Sequence, residues 1–226
     1  MHKQVLITAG GAGRRMGSSL PKQLMPLGGR PLLFHVFEQF LRYSPELRFV
    51  LVLPEAAHEP WKALCLEHRF HGNHELVEGG PTRFHSVKNG LKLIPTNCLV
   101  AIHDGVRPLV SLETISRVFQ FAEKFGNAIP VVGVNDSVRI REQASSHPLP
   151  REHIRLVQTP QCFHSDLIRE AYNCNYHETF TDDASVLESA GERLFLTDGN
   201  YENIKVTTPA DFVVAEAFLR HLSRKS

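Results

Sequence analysis

Residues 8–23 read "TAGGAGRRMGSSLPKQ"; they follow directly on the apolar run Val5-Leu6-Ile7 and precede an amphipathic pattern that opens at Pro31. A short strand, a long glycine-rich loop and then a helix: this order decides the fold. Gly10, Gly11, Gly13 and Gly17 let the backbone approach a ligand closely and expose its N–H groups. Arg14, Arg15 and Lys22 add three cations within nine residues. Cations gathered on backbone donors repel one another unless an anion joins them, and a polyphosphate fits that description. The loop spans about twenty residues without a secondary-structure pattern, a length that in compact domains usually signals function or disorder.

Two familiar phosphate loops are excluded. A P-loop needs Lys and then Ser or Thr directly after its last glycine, whereas Gly17 is followed by Ser18-Ser19. The dinucleotide pattern G-x-G-x-x-G is broken because Met16 stands at its third glycine.

Outward from this loop, apolar runs of strand length alternate with amphipathic segments. The pattern predicts strands at 4–8, 48–53, 74–77, 99–103 and 128–132, with helices at 31–43, 59–69, 84–93 and 112–125. Leu33, Phe37 and Leu41 share one face of the first helix, and Pro31 suits its first turn. Such alternation predicts an α/β fold: a Rossmann-like, mostly parallel sheet with helices on both faces, whose ligands sit at the carboxyl ends of the strands. Residues 137–160 interrupt the pattern. Val138 and Ile140 alternate with arginines, a Ser/His/Pro turn follows, and Ile154, Leu156 and Thr159 alternate again, which reads as a projecting β-hairpin arm too polar to join the core. A last helix begins at "TTPADF", with Thr208 as N-cap, Pro209 at the first position and Asp211 at the third. One domain over 1–226 accommodates all of this.

With 25 basic and 24 acidic residues the formal charge is +1, which offers no basic field for a nucleic acid. No apolar run approaches the ~20 residues of a membrane span, and the N-terminal stretch is too short for a signal peptide. Cys65, Cys98, Cys162 and Cys174 include no C-x-x-C pair and read as reduced thiols, so the expected location is cytoplasmic. "HRFHGNH" (68–74) spaces three histidines like a metal site, but it spans a helix end, a turn and a strand start, and reads as surface.

The motifs "AGGAGRRMG", "PKQ", "GGPTRFHSV", "HDGVRP", "TPQCF", "TDDASVLE" and "NIKVTTPADF", in that order from Val5 to Leu219, resemble those of nucleotidyltransferases that join a polyol phosphate to a nucleoside triphosphate. Within that group the chain is similar to the 2-C-methyl-D-erythritol 4-phosphate cytidylyltransferases of isoprenoid precursor synthesis, the non-mevalonate route. The resemblance implies attack by a phosphate monoester on the α-phosphorus of CTP, releasing pyrophosphate. Such a phosphate is already anionic near neutral pH, so catalysis needs positioning and charge neutralisation more than a general base.

The same resemblance gives Arg15 and Lys22 the catalytic role of stabilising charge at the α-phosphorus. It places Ala9, Gly10, Gly11 and Gly13 on the triphosphate, and Gly80 and Ser86 at the cytosine edge, with Arg83 as a buttress. Pro81, lacking an N–H, cannot read the base through that amide. Asp104, next to Gly105, would face a ribose hydroxyl or a divalent cation, Mg²⁺ above all, and the metal ligands stay unassigned. Lys205, between Ile204 and Val206, is an uncomfortable lysine without an anion nearby, and the family uses it on the acceptor phosphate. Ser137 and Arg151 match positions that reach that substrate from a neighbouring subunit, which implies a homodimer with exchanged arms. Arg107 fits a scaffold ion pair as readily as a site residue, and Asp182 and Asp183 fit the opening of a helix. A ribitol-5-phosphate cytidylyltransferase has closely similar nucleotide motifs and is the alternative enzyme. A CTP-binding sensor without turnover is the alternative of another class, disfavoured by Arg15, Lys22 and Lys205.

Overall fold

The computed structural model describes residues 1–10 and 21–224. In chain order the strands are β1 (Lys3–Thr8), β2 (Pro26–Leu27), β3 (Arg30–Pro31), β4 (Arg48–Leu53), β5 (His74–Glu78), β6 (Leu99–Asp104), β7 (Asn127–Gly133), β8 (Val138–Glu142), β9 (Ser145–Leu149), β10 (Arg155–Val157), β11 (Gln161–His164) and β12 (Leu196–Asp198). The helices are α1 (Leu32–Tyr43), α2 (His58–Glu67), α3 (Arg83–Leu91), α4 (Leu112–Phe125), α5 (Ser165–Ala171), α6 (Asp183–Ser189) and α7 (Pro209–Ser223).

The main sheet runs β10-β7-β11-β6-β1-β4-β5, with β12 also on β7. β4, β1 and β6 are parallel, as are β4 with β5 and β12 with β7, while β11 enters antiparallel between β6 and β7. The alternation of apolar residues along the strands decides which layer each joins. Val5, Ile7, Phe49, Leu51, Leu99 and Ala101 face a core with α1 and α4, whereas Leu6, Val50, Val52, Val100 and Ile102 face a second core with Phe84, Val87, Ile168 and Leu187. A sheet buried on both faces is what a near-continuous apolar strand such as "VLI" specifies. Among the described residues no helix is long and apolar enough to cross a membrane.

The five expected strands are present, four of them one residue longer at one end or both. Four expectations need correction. Pro31 is not in the first turn of α1: its extended backbone (φ −47°, ψ 132°) makes it the N-cap, and the helix starts at Leu32. The arm's turn does not lie in the Ser/His/Pro segment; Ser145–Leu149 is the return strand, pairing Val138 with Leu149 and Glu142 with Ser145. Residues 155–157 do not belong to the arm, because Arg155 and Val157 pair with Gly133 and Val131 in the main sheet. Nor is "HRFHGNH" plain surface. His74 is partly buried and accepts a 2.8 Å hydrogen bond from Trp61 Nε1, and His68 packs edge-on against Phe34. Among the described residues no group of three or more His, Cys, Asp or Glu could hold a metal.

Candidate active site

The carboxyl ends of β1, β5 and β6 open on one cleft of about 650 Å³, where such sheets bind their ligands. Thr8, Ala9 and Gly10 line it after β1, Gly80, Pro81 and Thr82 after β5, and Asp104 and Val106 at the end of β6. Lys22 and Gln23 close one side, Lys205 and Thr207 another. Gln23 is buried and donates to the Ala9 carbonyl at 2.7 Å, so the Pro-Lys-Gln segment is tied to the start of the glycine loop. Gly11, Gly13 and Arg15 lie outside the described residues.

Beside Gly10, the wall is organised by one hydroxyl. Thr82 caps α3, and Ser86, one turn in, is buried. Its Oγ accepts from Gly80 N–H at 3.0 Å and donates to the Thr82 carbonyl at 3.0 Å. That geometry fixes the 80–82 turn and leaves Oγ an unused lone pair. Close approach explains both glycines here: a Cβ on Gly10 would meet Ser86 Oγ at 2.8 Å, and one on Gly80 would meet His85 Cβ at 2.4 Å. Gly105 differs. Its amide already donates to the Thr8 carbonyl at 2.9 Å, and it packs against Ala9, so no N–H is left there for a ligand.

Asp104 is the electrostatic centre. It ends β6, is buried, and its backbone N–H donates to Thr159 Oγ1 at 3.0 Å. Lys205 Nζ sits 2.9 Å from Oδ2, Arg83 Nε 3.2 Å from Oδ1, and Arg107 Nε 3.5 Å from Oδ2. Burial by itself would raise this carboxyl, but Arg83, Lys205 and Arg107 outweigh it and hold Asp104 well below the usual carboxylate range. The anion that Lys205 needs is thus supplied within the chain. Val206 N–H donates to the Val106 carbonyl at 2.9 Å, which holds the "NIKV" segment beside β6. Arg107 also donates to the Asn203 carbonyl at 2.7 Å, a scaffold contact in addition to its charge.

Two features escape sequence reasoning. Arg83 does not end at Asp104: its Nη1 and Nη2 donate to Oδ1 and Oδ2 of Asp183, at 2.9 and 2.6 Å, from a residue 100 positions away. Asp182, as expected, caps α6 and accepts from Ser185 N–H at 2.9 Å, which leaves the carboxylate of Asp183 free to face Arg83. The second feature is a smaller, polar pocket of about 220 Å³ that adjoins the cleft. It shares Arg83, Asp104 and Lys205 with the cleft and adds Arg107, Gln158, Thr159 and Thr181. Ser137 and Arg151 line neither cavity; Arg151 donates to the Asn135 carbonyl at 2.6 Å on the arm.

A family model for IspD, 2-C-methyl-D-erythritol 4-phosphate cytidylyltransferase, matches residues 3–221. The 2-C-methyl-D-erythritol 4-phosphate cytidylyltransferase of Bacteroides thetaiotaomicron is 48% identical over 97% of this chain and 100% of its own. That of Porphyromonas gingivalis is 45% identical over 96% and 97%. Among solved structures, the Thermus thermophilus enzyme is 32% identical with a TM-score of 0.79, covering 97% of this chain and 100% of its own. The synthase from Anaerococcus prevotii, at 29% identity, superposes with a TM-score of 0.83 over 97% and 96%.

Proposed function

Since the chain belongs to the 2-C-methyl-D-erythritol 4-phosphate cytidylyltransferase family, we infer that it transfers CMP from CTP to that polyol phosphate, giving the CDP-linked polyol and pyrophosphate in the non-mevalonate route to isoprenoid precursors. The named relatives favour this acceptor over ribitol 5-phosphate. The observation that weighs most is the pair of cavities meeting at Asp104, Arg83 and Lys205. Two substrates have to converge on one phosphorus. The larger cavity, with Gly10 and the Gly80–Ser86 wall, suits the nucleotide, and the smaller, ringed by Lys205, Arg107 and Thr181, suits a small polyol phosphate.

In this reading an acceptor phosphate oxygen attacks the α-phosphorus, the bond to the pyrophosphate oxygen breaks, and the electron pair leaves with pyrophosphate. No proton has to move. Lys205, 2.9 Å from Asp104, holds the acceptor phosphate in line. Lys22, tied in place through Gln23, neutralises charge on the transferring and leaving groups together with Arg15. The unused lone pair of Ser86 accepts from the cytosine amino group, a contact that an oxygen-bearing uracil edge cannot make.

Enzymes of this family use a divalent metal. Asp104 is the sole carboxylate among the described residues lining the cleft, so one protein oxygen with triphosphate oxygens and water is the donor set the site can offer. That set fits Mg²⁺, which typically takes one or two carboxylates beside substrate phosphates. Bound there beside Asp104, the ion would supply positive charge against the triphosphate.

The arm completes the site from a second copy in this reading. Support comes from the hairpin's lack of a core of its own, from Ile140 and Leu156 standing exposed, and from Arg151 lying off both cavities. Pyrophosphate release, measured with CTP, ATP or GTP against each polyol phosphate, tests the whole. Turnover should require CTP, 2-C-methyl-D-erythritol 4-phosphate and a divalent cation. Equal rates with ATP, or full activity in excess EDTA, would contradict it.

A further inference from the structure

Behind the shared charges stands a group that touches neither cavity. Asp183 is fully buried, fixed by the start of α6 on one side and by the Tyr172 hydroxyl, which donates to Oδ1 at 2.7 Å, on the other. Tyr172 is itself buried, its ring stacked on Phe84 at 4.8 Å. Asp183 accepts from both Nη groups of Arg83, and it is Nε that reaches Asp104. An arginine fork pairs most strongly when two parallel N–H groups meet one carboxylate. With its Nη pair occupied, Arg83 takes just Oδ1 of Asp104, at 3.2 Å, and Oδ2 stays available for Lys205.

We propose that Asp183, braced by Tyr172, is a positioning residue for the transfer reaction: it occupies the fork of Arg83 so that Asp104 holds Lys205 on the acceptor side. Without it, the fork turns to Asp104 and competes with Lys205 for the same carboxylate. The acceptor phosphate then meets a lysine in the wrong place. Nucleotide contacts at the Gly10 and Ser86 wall are untouched, so the damage falls on one substrate. The inference rests on Lys205 as the acceptor-phosphate ligand.

Asp183→Asn keeps the side chain's size and an acceptor for Tyr172 but cannot serve both Nη groups. Steady-state kinetics on the folded variant should show the acceptor KM raised by about 3- to 30-fold, the span expected for coupled residues of a network, with the CTP KM within about 2-fold. Tyr172→Phe, which keeps the ring stack and loses only the hydroxyl, should shift the acceptor KM in the same direction by a smaller factor. It stands as the test on its own if Asp183→Asn does not fold. A merely structural role lowers the active fraction and hence the apparent kcat, leaving both KM values alone. That result, or equal rises in both, overturns the proposal. Lys205→Ala separates the two levels. If it raises the acceptor KM while the Asp183 and Tyr172 variants do not, the positioning role fails alone; if it leaves that KM unchanged, the acceptor-side reading of Lys205 fails and the proposal with it.

Discussion

Ser86→Ala removes a single oxygen and tests the nucleotide wall. The hydroxyl accepts from Gly80 N–H and donates to the Thr82 carbonyl, both at 3.0 Å. Thr82 loses little, because its carbonyl also accepts from Ser86 N–H at 3.0 Å. Gly80 N–H is left without its partner. An orphaned buried donor costs about 1–3 kcal/mol, and partial burial here puts the loss near the lower end, about 1.5 kcal/mol. For a domain of this size, each kcal/mol lowers Tm by about 2–4 °C, so a drop of about 3–6 °C is expected. The turn at 80–82 carries one wall of the cleft, and its loss of register should raise the CTP KM by about tenfold, equivalent to about 1.4 kcal/mol, while the acceptor KM stays put. Thermal melts with and without CTP, alongside pyrophosphate-release kinetics, read both effects. A variant with wild-type Tm and a CTP KM within about twofold of the parent would refute the idea that this oxygen shapes the nucleotide pocket.

If the charge of Lys22 and Arg15 acts chiefly in the transition state, as proposed, Lys22→Ala and Arg15→Ala should lower kcat by about 10²–10³ with much smaller changes in CTP affinity; rapid-quench turnover and equilibrium CTP binding separate the two. Mixing Arg151→Ala chains with Lys22→Ala chains should restore activity from two nearly dead parents, because each heterodimer regains one intact site; no recovery after verified subunit exchange would place Arg151 in its own chain's site or in none. Asp211 Oδ2 accepts from Thr207 N–H, Thr207 Oγ1 and Thr208 N–H at 2.7–2.8 Å, and although slight burial opposes them, these bonds hold the carboxyl below its ordinary 3.8. A depressed carboxyl stabilises the fold fully above its unfolded value and loses that contribution as pH falls through the folded one. Asp211→Asn should therefore cost about 1 kcal/mol at neutral pH in urea unfolding, and the gap from wild type should narrow as pH falls below about 4.

Legibility in the sequence followed burial and locality. Strands such as Val5-Leu6-Ile7 and "RFVLVL" bury both faces and announce themselves as continuous apolar runs. β11 does not: Gln161 opens it, fully buried, with its amide shared between Asp182 Oδ2 and Ala184 N–H, both at 2.8 Å. A buried glutamine that satisfies a helix start looks like loop composition until both partners are seen. The arm's return strand was masked in the same way, since "SSHPL" has turn composition and is held extended only by its pairing with Val138–Glu142. Lys205 was conspicuous because a charge lay between apolar neighbours, and its partner is Asp104. The link from Arg83 to Asp183 could not be read, because opposite charges 100 residues apart pair only once the topology brings α3 and α6 together.

The position of Thr159 has a mechanical consequence. Only Gln158 separates it from the end of β10, the strand that follows the arm and closes on β7. Its hydroxyl receives the Asp104 amide at 3.0 Å and lies 3.1 Å from His103 Nδ1, and its carbonyl receives Asn203 at 2.7 Å. Any strain applied where the arm leaves the sheet is therefore delivered through Gln158 and Thr159 to the backbone of the central carboxylate. If the arms of two copies exchange, a dissociated subunit loses more than a borrowed arginine: the same tether that registers an empty dock relaxes its own charge cluster. Assembly and competence then form a single equilibrium, so activity would fall with dilution more steeply than the count of dimers alone requires.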